Sequence, residues 1–227
     1  MWVQFLPRAP VLTMKINQKQ IRKIAKGRFS KAPSCHDWEH VERVYVLAQV
    51  LAKKEKADLN IVQVSALLHD IKRAEEMAAK GRICHAAEGA REAERILLSF
   101  KLPKDFIQAV KHCIAAHRFR NYNKPKTLEA KVLSDADKLD ALGAIGVGRG
   151  FMWCGYHGLS LYDTNKKIII KNDPYQRTHN LYAEYMIKLR YLKDKMYTKT
   201  GKKMAQERTD FMKKFIKRLD LETKGTL

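Results

Sequence analysis

Apolar positions recur at three- and four-residue intervals along most of the chain, the spacing of helices that bury one face. Residues 37–52 carry Val41, Val44, Tyr45, Ala48 and Leu51; residues 59–73 carry Val64, Leu67, Leu68 and Ile71; residues 85–100 carry Ala86, Ala90, Ala93 and Leu97. Pro103 reads as a first-turn proline for a helix to about His117, and residues 127–140 repeat the pattern with Leu128, Val132 and Leu133. The pattern begins near Ile16 and returns, very basic, from about Tyr175 to Leu219. Two stretches break it. Six glycines between Gly143 and Gly158, with Phe151, Trp153 and Tyr156 among them, predict a close-packed turn region rather than a simple helix. Residues 160–174 read as irregular and end on Asp173-Pro174, a chain-breaking pair. Ile168 to Ile170 could form a strand, but a single strand makes no sheet. The expected class is therefore all-α, with one helical domain over residues 16–220, of which 175–220 are a C-terminal helical extension. Residues 221–227 read as a tail. Residues 1–15 read as a disordered lead-in: Met1 to Thr13 hold two prolines and no long apolar core, which suits neither a helix nor a signal peptide. An over-called start, with Met14 as initiator, would account for them equally.

Composition narrows the function. Of 227 residues 45% are hydrophobic, enough for a core. The net charge of +21 attracts polyanions without saying which. No window approaches a membrane span. Four scattered cysteines form no CxxC pair, which favours a reduced, cytoplasmic setting.

The chemistry concentrates in three clusters. His36-Asp37-Trp38-Glu39-His40 puts two imidazoles four residues apart on one helical face, and His40 lines up with Val44, Leu47 and Leu51, so its ring points inward. His69-Asp70 ends an apolar helix, where side chains about 100° apart can approach one ion from two sides. In Ser134 to Asp140, Asp137 lies on the stripe of Ala130, Leu133 and Ala141; a carboxylate aimed at a core needs a partner, and a cation is the simplest one. Asp135 and Asp140 fit either surface acids or partners to histidines. His117 follows Phe106, Val110 and Cys113 on its helix, and His85 opens another beside Ala86, Gly89 and Ala90. His112 faces solvent beside Gln108 and Lys111, while His157 and His179 stand alone. Each signal is weak by itself; several helices each presenting one imidazole or carboxylate inward is how helical bundles build metal sites. A nitrogen and oxygen donor set suits Mn, Fe, Co, Ni or Zn better than Ca.

Read together, His40, then His69-Asp70, then Asp137 resemble the signature of the HD-domain superfamily of metal-dependent phosphohydrolases. The similarity is strongest to the bacterial YpgQ/YedJ-like branch: His36 to Val44, Leu67 to Ile71 and Asp135 to Gly146 match its motifs, and Met204 to Met212 its ending. The resemblance spans residues 17–220. It implies an HD-type helical bundle in which His40, His69, Asp70 and Asp137 ligate a divalent ion, with Mn expected and Mg, Co, Ni, Fe or Zn as alternatives. It further implies that His85 and His117 hold a second metal or contact phosphate, and that Asp70 bridges or guides water. The implied activity is hydrolysis of a small phosphorylated molecule, a nucleoside triphosphate giving monophosphate and pyrophosphate. Release of orthophosphate or cleavage of a phosphodiester is the neighbouring alternative. No G-Y-P triad follows Asp140, which argues against a cyclic-di-GMP phosphodiesterase. Arg43, Lys72, Arg73, Arg118 and Lys138 lie near ligands in sequence; some of them, with Arg43 and Lys138 foremost, are expected to neutralise substrate phosphates, and the rest to form a solvated helix face.

Two rivals remain. A nucleic-acid binder with a structural metal would use the positive charge, densest over Lys188 to Lys217, but no zinc-finger or RNA-recognition spacing appears. A metallopeptidase would need Glu after the first histidine of the H-x-x-x-H pair, where Asp37 stands. The basic C-terminal helices could also pack on a second subunit.

Overall fold

The computed structural model describes residues 16–29, 37–79, 81–118, 123–164 and 180–227. The lead-in 1–15, His36, His179 and the candidate strand Ile168 to Ile170 lie outside them. The chain runs through α1 (Gln18–Gly27), α2 (Trp38–Glu55), α3 (Leu59–Leu68), α4 (Arg73–Ala78), α5 (His85–Ser99), α6 (Lys104–Ala116), α7 (Leu128–Asp140) and α8 (Gly143–Tyr156). After the undescribed stretch come α9 (Leu181–Ile187), a 3-10 segment (Leu189–Lys195) and α10 (Lys199–Thr223). Among the described residues there is no strand, and no helix is long and apolar enough to cross a membrane.

Local chemistry starts most of these helices where the periodicity predicts. Asp37, Asp58 and Thr127 cap α2, α3 and α7 by accepting the otherwise unpaired amides of His40, of Asn60 and Ile61, and of Ala130. Pro103 is the cap of α6 rather than its first-turn residue. The apolar faces build two joined cores. Val44, Ala48 and Leu51 of α2 meet Val62 and Ala66 of α3, Val132, Leu133 and Leu139 of α7, and the C-terminal helices. Ile21 of α1 and Val41 of α2 meet Val64, Leu67 and Leu68 of α3 together with Ala93 and Leu97 of α5 and Val110 and Ile114 of α6. Helices α2 and α3 face both cores, so their ends are fixed from two sides.

The structure corrects or refines several expectations. The glycine-rich stretch is a helix, α8, not a turn region. Two of its glycines have a steric reason: Gly143, at φ +74, makes the sharp corner after α7, and a Cβ on Gly150 would lie 2.5 Å from Leu181 Cδ1 of α9. The helix expected over 59–73 stops at Leu68, the chain turns through His69 to Lys72, and α4 follows. The basic C-terminal run breaks in two because buried Asp135 of α7 captures the amides of Tyr197 and Thr198 and the Thr198 hydroxyl, at 2.7–3.1 Å, holding that segment extended. Helix α10 also runs on to Thr223, into the expected tail.

Candidate metal centre

Six of the residues singled out in the sequence meet at one end of this bundle. His40 lies in the first turn of α2, His69 caps the C-terminus of α3 with Asp70 following it, and His85 opens α5. His117 caps the C-terminus of α6, and Asp137 lies in the last turn of α7. All but Asp137 are buried; its side chain keeps 27% exposure and marks the open side of the centre. Ligand atoms of His40, His69 and Asp137 lie within 4.8 Å of one another, and so do those of Asp70, His85 and His117. Asp70 joins the two groups. Its Oδ2 is 3.7 Å from His40 Nε2 and 3.8 Å from His69 Nε2, while its Oδ1 is 3.2 Å from His85 Nε2 and 3.5 Å from His117 Nε2.

The two groups are built alike. In each, one histidine is tied to its own helix: His69 Nδ1 donates to the Ala66 carbonyl (2.8 Å) and His117 Nδ1 to that of Ile114 (2.6 Å). The other is tied to a buried carboxylate held between two arginines. His40 Nδ1 donates to Asp140 Oδ2 (2.7 Å), and Asp140 also accepts from Arg43 and Arg149. His85 Nδ1 donates to Glu76 Oε2 (2.7 Å), and Glu76 accepts from Arg73 and Arg118. All four rings are thus fixed in the tautomer that turns Nε2 inward, the arrangement that prepares imidazole for a metal.

The Nε2 atoms then face each other in pairs, His40 to His69 at 3.3 Å and His85 to His117 at 3.3 Å. Two neutral rings so placed would oppose their lone pairs, so each pair calls for one positive charge. The ionisation of the metal-free chain says the same. Burial pushes His69 down to about 4, leaving a free lone pair. Burial opposes charge on His85 too, but Asp70 and Glu76 outweigh it and lift that imidazolium to about 9. Burial would raise Asp70 and Asp137, yet the surrounding imidazoles hold both well below the usual carboxylate range. A divalent ion answers the same demand with more charge. Bonds of about 2.1 Å at tetrahedral or octahedral angles separate donors by roughly 3–3.5 Å, close to the spacings found. The donor set therefore fits such an ion.

Two of the five basic residues expected near substrate phosphate, Arg43 and Lys138, already have partners in the protein. Arg43 spends its guanidinium on Asp140, with Nε to Oδ1 at 2.7 Å and Nη2 to Oδ2 at 3.1 Å. Lys138 is buried; its Nζ donates to the carbonyl and hydroxyl of Ser134 (3.0 and 2.6 Å) and lies 3.8 Å from Asp135 and 4.8 Å from the centre of the Tyr197 ring. Lys138 braces α7 against the C-terminal segment, and Ser134 passes a hydrogen bond on to the His117 carbonyl (2.9 Å). Neither Asp135 nor Asp140 is a surface acid. Lys72 pairs with Glu75, and His112 accepts from the Lys126 amide. Glu76 and Arg149 escaped the sequence reading. Glu76 has no spacing signal that separates it from Glu75. Arg149 had one: it is the only charged residue in Gly143–Tyr156.

Comparison with known proteins bears on the chain as a whole. Residues 37–142 match the HD domain family model. The chain is 35% identical over 211 residues to the YpgQ protein of Bacillus subtilis, covering 91% of this chain and 94% of that one. The crystal structure of B. subtilis YpgQ in complex with ADP superposes with a TM-score of 0.70 at 33% identity, covering 92% of this chain and all of the other. An HD-superfamily hydrolase from Bacillus thuringiensis superposes with a TM-score of 0.69 at 28% identity, covering 91% and 96%.

Proposed function

Because the chain belongs to the HD-domain family and is a metal-dependent hydrolase, we propose that it cleaves a phosphate anhydride of a nucleotide, releasing pyrophosphate from a nucleoside triphosphate. The observation that carries this reading is the pair of inward-facing imidazole couples sharing one carboxylate, Asp70. In this reading His40, His69 and Asp137 hold a divalent ion with Asp70 Oδ2, and His85 and His117 meet a second cation or a phosphate beside Asp70 Oδ1. Such an ion lowers the pKa of water and neutralises charge on phosphoryl oxygens.

The protein's own groups do the positioning. Asp140 and Glu76 lock the imidazoles of His40 and His85. Arg43, Arg73, Arg118 and Arg149 keep those carboxylates ionised, and their partly exposed guanidinium groups bias the mouth of the centre toward an anion. Most of the charge stabilisation that phosphoryl transfer needs is then in place before substrate arrives. That the relative YpgQ takes ADP supports a nucleotide over another phosphate ester.

The deciding assay is a panel of nucleoside triphosphates with Mn, Mg, Co and Ni, resolving pyrophosphate from orthophosphate. Metal-dependent pyrophosphate release supports the reading. Orthophosphate alone turns it into a phosphatase, and cleavage of a phosphodiester in place of triphosphates turns it into a phosphodiesterase.

A further inference from the structure

Hydrolysis of a small nucleotide leaves the net charge of +21 without a use. The fold concentrates part of it. The Glu55 carboxylate, in the last turn of α2, accepts the amide of Thr200, in the first turn of α10, at 2.7 Å. This stitch brings two lysine-rich helix ends together: Lys53, Lys54 and Lys56 on one side, Lys199, Lys202 and Lys203 on the other, all exposed. Exposed basic residues elsewhere are commonly neutralised, as in Arg28 with Glu92 or Lys224 with Asp220. Among the described residues none of these six lysines forms an ion pair. The Glu55 carboxylate is tied to the Thr200 amide and acts on Lys199 without pairing with it. Just before the cap of α10 and two residues from Lys199, Tyr197 keeps 43% of its surface exposed while Lys138 lies against its ring. His40 lies in the first turn of α2 and Lys53 and Lys54 in its last, about 20 Å apart along the axis, so the lysines of α2 are separate from the metal centre.

We propose that this lysine face, with Tyr197 beside it, is a docking surface for single-stranded nucleic acid. Unneutralised lysines on adjoining helix ends match a flexible row of phosphates, whose binding is driven by release of condensed counterions. An exposed aromatic ring among them offers a stacking surface that a base can use and a bare polyphosphate cannot. A lipid surface fits less well, since the face is carried on the ends of two helices rather than along one amphipathic helix.

The test is fluorescence anisotropy of the full chain with labelled oligouridylate and oligothymidylate. Single strands lose affinity with salt at a log–log slope of about −0.7 per neutralised phosphate. Engagement of about five phosphates then means roughly 100-fold weaker binding at 200 mM salt than at 50 mM. Changing the six lysines to Gln should weaken binding at least tenfold and flatten the salt slope, with metal-dependent hydrolysis at the far end unchanged. Tyr197→Leu should weaken oligonucleotide binding about fivefold or more and leave inorganic polyphosphate binding unaltered. The proposal is overturned if the six-lysine variant binds as the parent does. It is equally overturned if polyphosphate competes as well as the oligonucleotides while Tyr197→Leu is silent, or if phosphatidylserine vesicles capture the chain and oligonucleotides do not.

Discussion

Asp140→Asn probes the construction of the metal centre without touching an inward-facing atom. The carboxylate is buried and contacts three groups, the His40 imidazole and the guanidinium groups of Arg43 and Arg149. Burial alone would raise its pKa, but His40, Arg43 and Arg149 hold it down to about 2 from an ordinary 3.8. A depression of nearly two units corresponds to about 2.5 kcal/mol of folding free energy. Asn can still accept the His40 proton, so the tautomer survives, but two arginines lose their counter-charge. The expected loss is about 2–4 kcal/mol in urea unfolding of the metal-free chain. Because the folded pKa is the lower one, the parent's advantage is complete above about pH 4 and disappears as pH falls toward 2. Orientation of His40 also governs the ion. Removing such a carboxylate partner typically costs 10–100-fold in metal affinity, which Mn titration followed by electron paramagnetic resonance reads directly. Unfolding within 0.5 kcal/mol of the parent, together with unchanged Mn affinity, would refute the reasoning.

Asp137→Ala should abolish metal-dependent release of phosphate or pyrophosphate while the far-UV circular dichroism stays helical; full residual turnover defeats the ligand assignment. Metal loading at pH 7.5 should release about one proton per chain from His85, whose imidazolium persists to about 9 in the metal-free chain. The release should fade above pH 9, and calorimetry in buffers of different ionisation enthalpy measures it; no release at pH 7.5 contradicts the charge demand of that pair. Lys138→Met should lower stability by about 1–3 kcal/mol with substrate KM within twofold of the parent. A tenfold rise in KM at unchanged melting temperature would return Lys138 to the substrate.

Periodicity carried much of the way to this site. His117 and His40 stand inward because Val110 and Cys113, and Val44 and Leu51, set the buried faces of their helices, and that arithmetic needs no tertiary knowledge. Tertiary contacts decide the rest. Asp135 and Asp140 are both buried aspartates of one helix, yet one anchors the backbone 62 and 63 residues further on and the other orients an imidazole 100 residues earlier. No local pattern tells them apart. Lys138 adjoins Asp137 in sequence, but neighbours on a helix diverge, and its side chain goes to Ser134 and Tyr197. Gly150 of α8 reads as a turn former because the side chain that presses against it, Leu181, comes about thirty residues later.

Asp70 offers one oxygen to each histidine couple, and a carboxylate rotates as a single rigid plane. Whatever fastens one oxygen therefore stops the other from wandering. The two halves of the centre are geared to each other through this one rigid part, Asp70.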